Sequence, residues 1–98
     1  MQKRPDTEDL VEVGVIGKQV EQFYETKVGM YLDQCADVEI EEGLEALKTA
    51  NPYDTAAIHA AQSRVWRGEK FKSWMREAIM AGIQATLVLD RRNTTGED

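Results

Sequence analysis

The 98-residue chain contains few of the residues that break helices, form disulfides or carry out catalysis. It has 2 prolines, 1 histidine and 1 cysteine, and the lone Cys35 cannot close a disulfide within the chain. No run approaches the roughly 20 apolar residues that a membrane span requires. Because Ala, Glu, Gln, Lys and Met are plentiful instead, the composition favours a small all-helical domain.

The charge is unbalanced, since 18 acidic and 12 basic residues give a formal net charge of −6. A surface of that sign repels phosphate backbones and disfavours direct nucleic-acid binding over a broad face. The N-terminus is polar, so no signal peptide is expected there. With 42% apolar residues the chain has an ordinary capacity to form a core. We therefore expect a cytoplasmic protein without membrane contact.

A seven-residue repeat runs through the C-terminal half of the chain. The repeat positions, all small or apolar, are Ala61, Gly68, Met75, Gly82 and Leu89. A repeat of this period keeps one seam of a long helix against a partner helix. Glycine on the seam lets the partner backbone come close, although each glycine costs about 1 kcal/mol of helix propensity relative to alanine.

Two turn signals divide the chain into three predicted helices. Thr26 is a suitable N-cap for the second helix, and Asn51-Pro52 ends it because the residue before proline avoids the α region. Asp54 then caps the third helix, with Asn51 and Pro52 as an alternative start. The predicted helices cover about 9–25, 27–50 and 54–92, in a single domain 9–92 between a flexible arm, 1–8, and a flexible tail, 93–98.

The first helix is ambiguous over residues 11–16. Val13, Ile16 and Val20 follow helical spacing, whereas the segment from Val11 to Val15 alternates with the period of a strand. A strand here would have no second strand to pair with elsewhere in the chain. Helix is therefore predicted.

A connection of about four residues forces the second and third helices to run antiparallel. Counting outward from the turn at equal rise places Ala36 opposite Gly68, where two small residues allow the closest approach of the axes. The expected fold is a long helical hairpin, with the shorter first helix covering about Ile79 to Leu89. The predicted seam, in which Gly43 is an alternative to Leu44, comprises Leu32, Ala36, Ile40, Leu44, Leu47, Ile58, Ala61, Val65, Gly68, Phe71 and Met75.

Acidic residues are dense on the second helix and basic residues on the third. The same register places Glu41 near Arg64 and Asp37 near Arg67, which predicts ion pairs worth no more than about 1 kcal/mol each. Two functional alternatives are a divalent-cation site and a mimic of a phosphate backbone. A metal is not expected, because no Glu-x-x-His motif accompanies the carboxylates. The acidic face comprises Asp37, Glu41, Glu42 and Glu45.

No residue pattern indicates catalysis or a cofactor. His59 has no catalytic partner at a recognisable spacing, and Cys35 is expected to serve as a small apolar residue within the second helix. The segment from Gly14 to Lys18 matches a phosphate-binding loop only in part, because the full motif and a preceding strand are missing. We therefore expect neither an enzyme nor a cofactor or metal site.

Trp66 and Trp74 project away from the seven-residue seam. They need another cover, either the first helix or a second subunit, and aromatic anchors are enriched at interfaces. Ile79 and Ile83 widen the same face. Because so few helices leave apolar surface exposed, we expect a homo-oligomer, most simply a dimer that forms a helical bundle.

Three fragments of the chain are familiar as a set: Lys27-Val28-Gly29-Met30-Tyr31-Leu32, Asn51-Pro52-Tyr53-Asp54, and Ala60-Ala61-Gln62 leading to 69–75. Together they resemble small proteins encoded by tailed bacteriophages, often near head and packaging genes, over about residues 9–92. The chain departs from them at Thr26-Lys27, where they have Ser-Pro. The resemblance implies a phage or prophage origin, with a place in the host cytoplasm or in a virion, and no activity.

The leading hypothesis is a non-enzymatic helical protein that binds other proteins and itself, as an assembly or accessory factor. An alternative is an acidic regulator that binds a basic host or viral protein through Glu41, Glu42 and Glu45. A third is a DNA-packaging component similar to a small terminase subunit. That role would need the cationic residues of the third helix to face outward, namely Arg64, Arg67, Lys70 and Arg76. The net charge disfavours it.

Overall fold

The computed structural model describes residues 6–95, and the all-helical prediction is confirmed over that range. The three helices are α1 (Thr7–Glu25), α2 (Lys27–Thr49) and α3 (Thr55–Thr95). Strands are absent from this part of the chain. None of the three helices combines the length and the apolar content that crossing a bilayer requires.

The ambiguous segment of α1 is helical. Val11 and Val15 are exposed, Val13 is half-buried and Gly17 is buried, which is the pattern of a helix covered on one face. The strand-like alternation therefore did not indicate the structure, because residues 6–95 offer this segment a helical partner and no strand.

α1 begins two residues earlier than predicted because Asp6 caps it. One carboxylate oxygen of Asp6 accepts the Glu8 N–H at 2.7 Å, and its carbonyl oxygen accepts the Leu10 N–H at 3.1 Å. These bonds satisfy amide groups that the first turn of a helix leaves without a partner.

α3 continues to Thr95 instead of ending near Arg92. Residues 7–8 of the predicted arm and 93–95 of the predicted tail thus belong to helices. The rest of the arm and the tail, 1–5 and 96–98, lies outside the described residues.

The predicted N-caps of α2 and α3 are confirmed. The Thr26 hydroxyl accepts the Gly29 N–H at 2.9 Å, and Asp54 Oδ1 accepts a backbone N–H three residues further on at 3.1 Å. The alternative start at Asn51 and Pro52 is wrong. Asn51 instead forms the turn before the cap, where its Oδ1 accepts the Tyr53 N–H at 2.9 Å.

The helices form two compact units. The central unit, Tyr24–Trp74, contains α2 and the first part of α3. The terminal unit pairs α1, up to Phe23, with the part of α3 that begins at Met75. α3 thus contributes its seam to both units.

In the central unit, Gly68 lies against Ala36 as the register predicts. A methyl group placed on Gly68 would lie 2.6 Å from the Ala36 carbonyl oxygen, and one placed on Gly43 would lie 3.0 Å from the Ala61 carbonyl oxygen. Residue numbers at the contacts thus increase along α2 while they decrease along α3. At both contacts a Cβ atom has no room, so glycine is what lets the two backbones meet.

Two leucines predicted on the seam are exposed instead. Leu32 is 38% exposed and Leu44 is 48% exposed, whereas Gly29, Ala36 and Gly43 are buried. The physical reason is that glycine and alanine fill the positions where the two backbones meet, so Leu32 and Leu44 lie at the flanks of the contact. The other predicted seam residues are buried or half-buried, namely Ile40, Leu47, Ile58, Ala61, Val65, Phe71 and Met75.

In the terminal unit, glycine meets glycine. A methyl group on Gly17 would lie 2.8 Å from both the Gly82 Cα and the Ala78 carbonyl oxygen. The same seam of α3 buries Ala85 and Arg92, which are 4% and 6% exposed. α1 therefore contacts α3 at Gly82, within the stretch from about Ile79 to Leu89 that the first helix was predicted to cover.

Candidate interaction surface

α2 has two apolar faces of different character. The face toward α3 carries the buried residues Gly29, Ala36 and Gly43 at seven-residue intervals. A second face carries larger residues, which we call the outer stripe: Val28, Tyr31, Cys35 and Val38. Their spacing of three, four and three residues is that of the a and d positions in a coiled coil.

The outer stripe is exposed to solvent. Val28 is 61%, Tyr31 65% and Val38 41% exposed. Cys35 is also exposed, so its predicted role as a buried small apolar residue is wrong. α2 thus keeps bulky apolar side chains outside and glycine and alanine inside, the reverse of the usual preference. A contiguous apolar face of this kind is typical of an interaction surface.

Beside the outer stripe lies an open groove of the central unit. It is lined by Leu32, Cys35 and Ala36 from α2 and by Gly68 and Phe71 from α3. The Glu39 and Arg67 side chains form its polar edge. The groove is lined mainly by apolar side chains, which is the kind of lining that receives the apolar face of a helix.

Within the stripe, Tyr31 and Cys35 are one helical turn apart and interact. A hydrogen bond with the Cys35 side chain is the main cause that raises the pKa of the Tyr31 phenol above its usual 10.0. The phenol therefore stays neutral at physiological pH and adds no charge to the apolar face.

Ion pairs connect α2 to α3 along the edge of the groove. Arg64 lies 3.0 Å from Glu39 and also pairs with Glu42, while Arg67 lies 2.9 Å from Glu39. The hydrogen bonds from Arg64 and then Arg67 hold the pKa of the Glu39 carboxyl below its usual 4.5. The same bonds, first from Glu39 and then from Glu42, raise the pKa of Arg64.

A second cluster of ion pairs involves Lys72. Its ammonium group lies 2.8 Å from an Asp37 oxygen and 3.1 Å from an Asp33 oxygen. The hydrogen bond to Asp37 is the largest cause that raises the pKa of Lys72 above its usual 10.5. Burial of the lysine opposes this shift.

The predicted ion pairs are therefore wrong in their partners. Arg64 bridges Glu39 and Glu42 and does not pair with Glu41. Residues 39 and 42 are three positions apart and share one face of α2, whereas residue 41 lies on a different face. Asp37 pairs with Lys72 and not with Arg67. The acidic and basic side chains of α2 and α3 do meet, as expected, but their partners lie one to five residues from the predicted ones.

The predicted acidic face divides into two groups. Asp37 and Glu42 are held in the ion pairs above, whereas Glu41 and Glu45 form no ion pair within residues 6–95. Lys27, at the start of α2, likewise forms none with this part of the chain. Three or more His, Cys, Asp or Glu side chains nowhere gather into a metal-binding group among the described residues.

The tryptophans are surface residues. Trp66 is 58% and Trp74 is 56% exposed. The Lys70 ammonium lies 6.0 Å from the centroid of the Trp66 ring, at the limit of a cation–π contact. Trp74 follows Phe71 by three residues, so the two are neighbours on one face of α3.

Ile79 and Ile83, the other predicted interface residues, belong to the terminal unit. They line a shallow groove there with Gly14, Gly17 and Gly82. Ile79 is half-buried, and Ile83 is 44% exposed. These two isoleucines therefore lie beside the contact between Gly17 and Gly82 in the terminal unit.

His59 lies in a shallow surface depression with Gln62, Ser63 and Trp66. These residues are spaced three and four positions apart, so they share one face of α3.

The outer stripe was missed at the sequence level although its signal is visible. Val28, Tyr31, Cys35 and Val38 show the same three-four spacing that identified the seam. Only one apolar stripe was assigned to α2, and Leu32 and Leu44 were placed on it because leucine usually marks a buried face. Small residues at seven-residue intervals were a better guide to the buried face.

The chain matches no known family model. Comparisons with curated proteins and with solved structures also find no match.

Proposed function

We propose that this protein is a non-enzymatic helical assembly protein that works as a homodimer and presents its apolar surface to other proteins. The observation that carries the proposal is the distribution of apolar side chains in the described chain. Its buried hydrophobic residues are Ala36, Ala61 and Ala85, while larger ones such as Tyr31 and Trp74 are exposed.

The energetics support association. Burying a methyl or methylene group contributes about 0.8 kcal/mol, against about 1.5 to 3 kcal/mol for a whole leucine, valine or phenylalanine side chain. A core of alanine and glycine therefore gives the single chain little hydrophobic stabilisation. Covering the outer stripe and the groove with a second chain adds the missing contribution, and in this proposal two helical hairpins join as a bundle.

The ion pairs support a binding role over a chemical one. The clustered charged groups of the central unit compensate one another at the edge of the groove, and none is aimed into it alone. The resemblance to tailed-phage proteins points to a role in phage assembly, in the host cytoplasm or the virion, and is part of this proposal.

Mass measurement in solution tests the proposal. Light scattering after size exclusion is expected to give about 22.2 kDa, which is twice 11.1 kDa, at micromolar concentration. The variant Tyr31→Asp is expected to give 11.1 kDa, and Tyr53→Asp, which changes an equally large side chain in the turn, to remain dimeric. A wild-type monomer at several hundred micromolar would contradict the proposal.

A second candidate, an acidic regulator of a basic protein, draws support from the carboxylates that no ion pair holds, Glu41 and Glu45. Reversing these two charges is expected to abolish binding to a basic partner while leaving the helical content unchanged. Glu42 is unsuitable for this test because it pairs with Arg64. A packaging role has weaker support, since Arg64 and Arg67 are engaged in ion pairs and are not free for phosphates.

A further inference from the structure

We propose that the second copy docks on the outer stripe with the two α2 helices antiparallel, so that Lys27 of each copy lies opposite Glu41 of the other. This inference rests on the proposed homodimer. It adds which face forms the contact, which way the helices run and which residues meet.

The first argument is the position of the charges relative to the stripe. When Val28 and Cys35 are a positions and Tyr31 and Val38 are d positions, the g positions along one edge are Lys27, Gln34 and Glu41. A cation and an anion thus lie at equal distances on either side of an uncharged glutamine. Two copies of this edge therefore match when the helices run antiparallel, because the cation of each copy then faces the anion of the other.

The second argument is that both charges are available. Lys27 and Glu41 are exposed and form no ion pair within the described part of the chain, whereas the neighbouring Glu39 and Glu42 are held by Arg64. In a chain of net charge −6, an association surface needs a local attraction to offset the general repulsion.

The third argument is the register that these pairs impose. With Lys27 opposite Glu41, the antiparallel helices place Val28 opposite Val38 and Tyr31 opposite Cys35, so every core layer is apolar. Leu32, exposed at the groove side of α2, then meets Leu32 of the other copy. The charge of Glu39 on that edge is compensated by Arg64 and Arg67 of its own chain.

A parallel pair of α2 helices fits less well. There, each g position faces the e position five residues further along the other helix, which sets Lys27 beside Leu32 and Glu41 beside Ala46 of the second copy. Both charges would remain without partners. A parallel pair would also bring the two Cys35 residues directly opposite each other.

The experiment uses the full-length chain and charge reversal, with dissociation constants from sedimentation equilibrium. Lys27→Glu and Glu41→Lys are each expected to weaken the dimer about tenfold, because each puts two like-charged pairs into one dimer. The double variant is expected to return to within about threefold of wild type. In 0.5 M salt the differences should shrink.

Mixing the two single variants sharpens the test. The heterodimer of Lys27→Glu with Glu41→Lys contains two attractive pairs, so it should form in preference to either homodimer. A double variant no tighter than the single variants, or a statistical mixture of dimers, would overturn the antiparallel register. A monomeric wild-type chain would instead refute the homodimer itself, so the two failures are distinguishable.

Cys35 gives an independent readout. In the proposed register the two thiols are offset by about 6 Å along helices that lie about 8–10 Å apart, too far for a disulfide. Mild oxidation is therefore expected to leave the thiols free in a dimer that stays intact. Rapid formation of a disulfide-linked dimer would show that the helices run parallel.

Discussion

The central and terminal units use one kind of helix seam but secure it by different means. In the terminal unit the closest residues are both glycine, Gly17 and Gly82, and the fit of the two backbones defines the contact. In the central unit Gly68 meets Ala36, and the ion pairs of Arg64 and Lys72 flank the seam. The comparison separates two requirements that a helix pair must meet, close approach and correct register.

Close approach depends on the absence of a Cβ atom, and register depends on features that differ along the helix. Glycines at regular intervals fit a partner almost as well after a shift of one repeat. Charges at chosen positions do not, because a shift would bring like charges together. The central unit therefore has its register specified twice, by shape and by charge.

The largest expected effect is at the glycine contact of the terminal unit. Gly17→Val should lower the free energy of unfolding by about 2 to 3 kcal/mol, because its Cβ would press on the Gly82 backbone. Gly14→Ala is the matched control, since its methyl group would meet Thr86 Oγ1 at an ordinary 3.4 Å. The control should be neutral or gain up to about 1 kcal/mol of helix propensity. Urea unfolding followed by circular dichroism compares them, and equal losses would contradict the close approach.

A smaller effect is expected from the helix caps. Asp54→Ala removes the cap of α3 in the central unit and should cost about 1 kcal/mol. Asp6→Ala removes the cap of α1 in the terminal unit and should cost less, because the first turn of a terminal helix frays at little cost. Amide hydrogen exchange in the two first turns measures both. Unchanged protection of the Ala57 amide in Asp54→Ala would refute the role assigned to that cap.

Removing one cluster of ion pairs should have an effect below that of a cap. Lys72→Met leaves Asp33 and Asp37 without their shared partner and is expected to cost about 0.5 kcal/mol, reduced in 1 M salt. Lys48→Met is the control, because Lys48 forms no ion pair in the described chain. If both substitutions change the unfolding midpoint equally, the cluster does not stabilise the central unit.

The smallest expected effect is a pH dependence of the central unit. The pKa of Glu39 in the folded chain lies below its usual 4.5, so ionised Glu39 stabilises the fold above about that pH. This contribution is lost as the pH falls through the lowered pKa. Wild type should therefore be more stable than Glu39→Gln at pH 7, and the difference should vanish near pH 2. A difference that persists unchanged in acid would contradict the ion-pair explanation.

Lys72 sets the upper limit of the pH range in which these ion pairs stabilise the central unit. Its pKa in the folded chain is raised above 10.5, so its contribution is present below that value and lost as the pH rises through the raised pKa. Between the two limits these groups give the central unit a nearly constant stability.

Several local features could be predicted from the sequence because their causes are local. Thr26 and Asp54 cap helices through bonds to residues only a few positions away, and the contact of Ala36 with Gly68 follows from counting along two regular helices. The ion-pair partners could not be predicted in the same way. Long side chains reach along the helix, so Arg64 selects among several carboxylates within about one turn.

The surface was harder to predict than the seam. Leucine usually marks a buried face, and here Leu32 and Leu44 are exposed because glycine and alanine occupy the seam. When a helix has two apolar faces and only one partner helix is considered, either face can be taken for the buried one. The outer stripe becomes visible once the small residues of α2 are recognised as the inner face.

The alanine and glycine core also has a calorimetric consequence. Heat capacity rises on unfolding in proportion to the apolar surface that becomes hydrated, and a typical chain of this length gives roughly 1.3 kcal/mol/K. In the described chain the buried hydrophobic residues are Ala36, Ala61 and Ala85, and the larger apolar residues are at most half-buried. The isolated chain therefore has less such surface to release than a typical one, and its thermal transition should be broad. Sharp, concentration-dependent melting would then be a property of the pair of chains and not of either one.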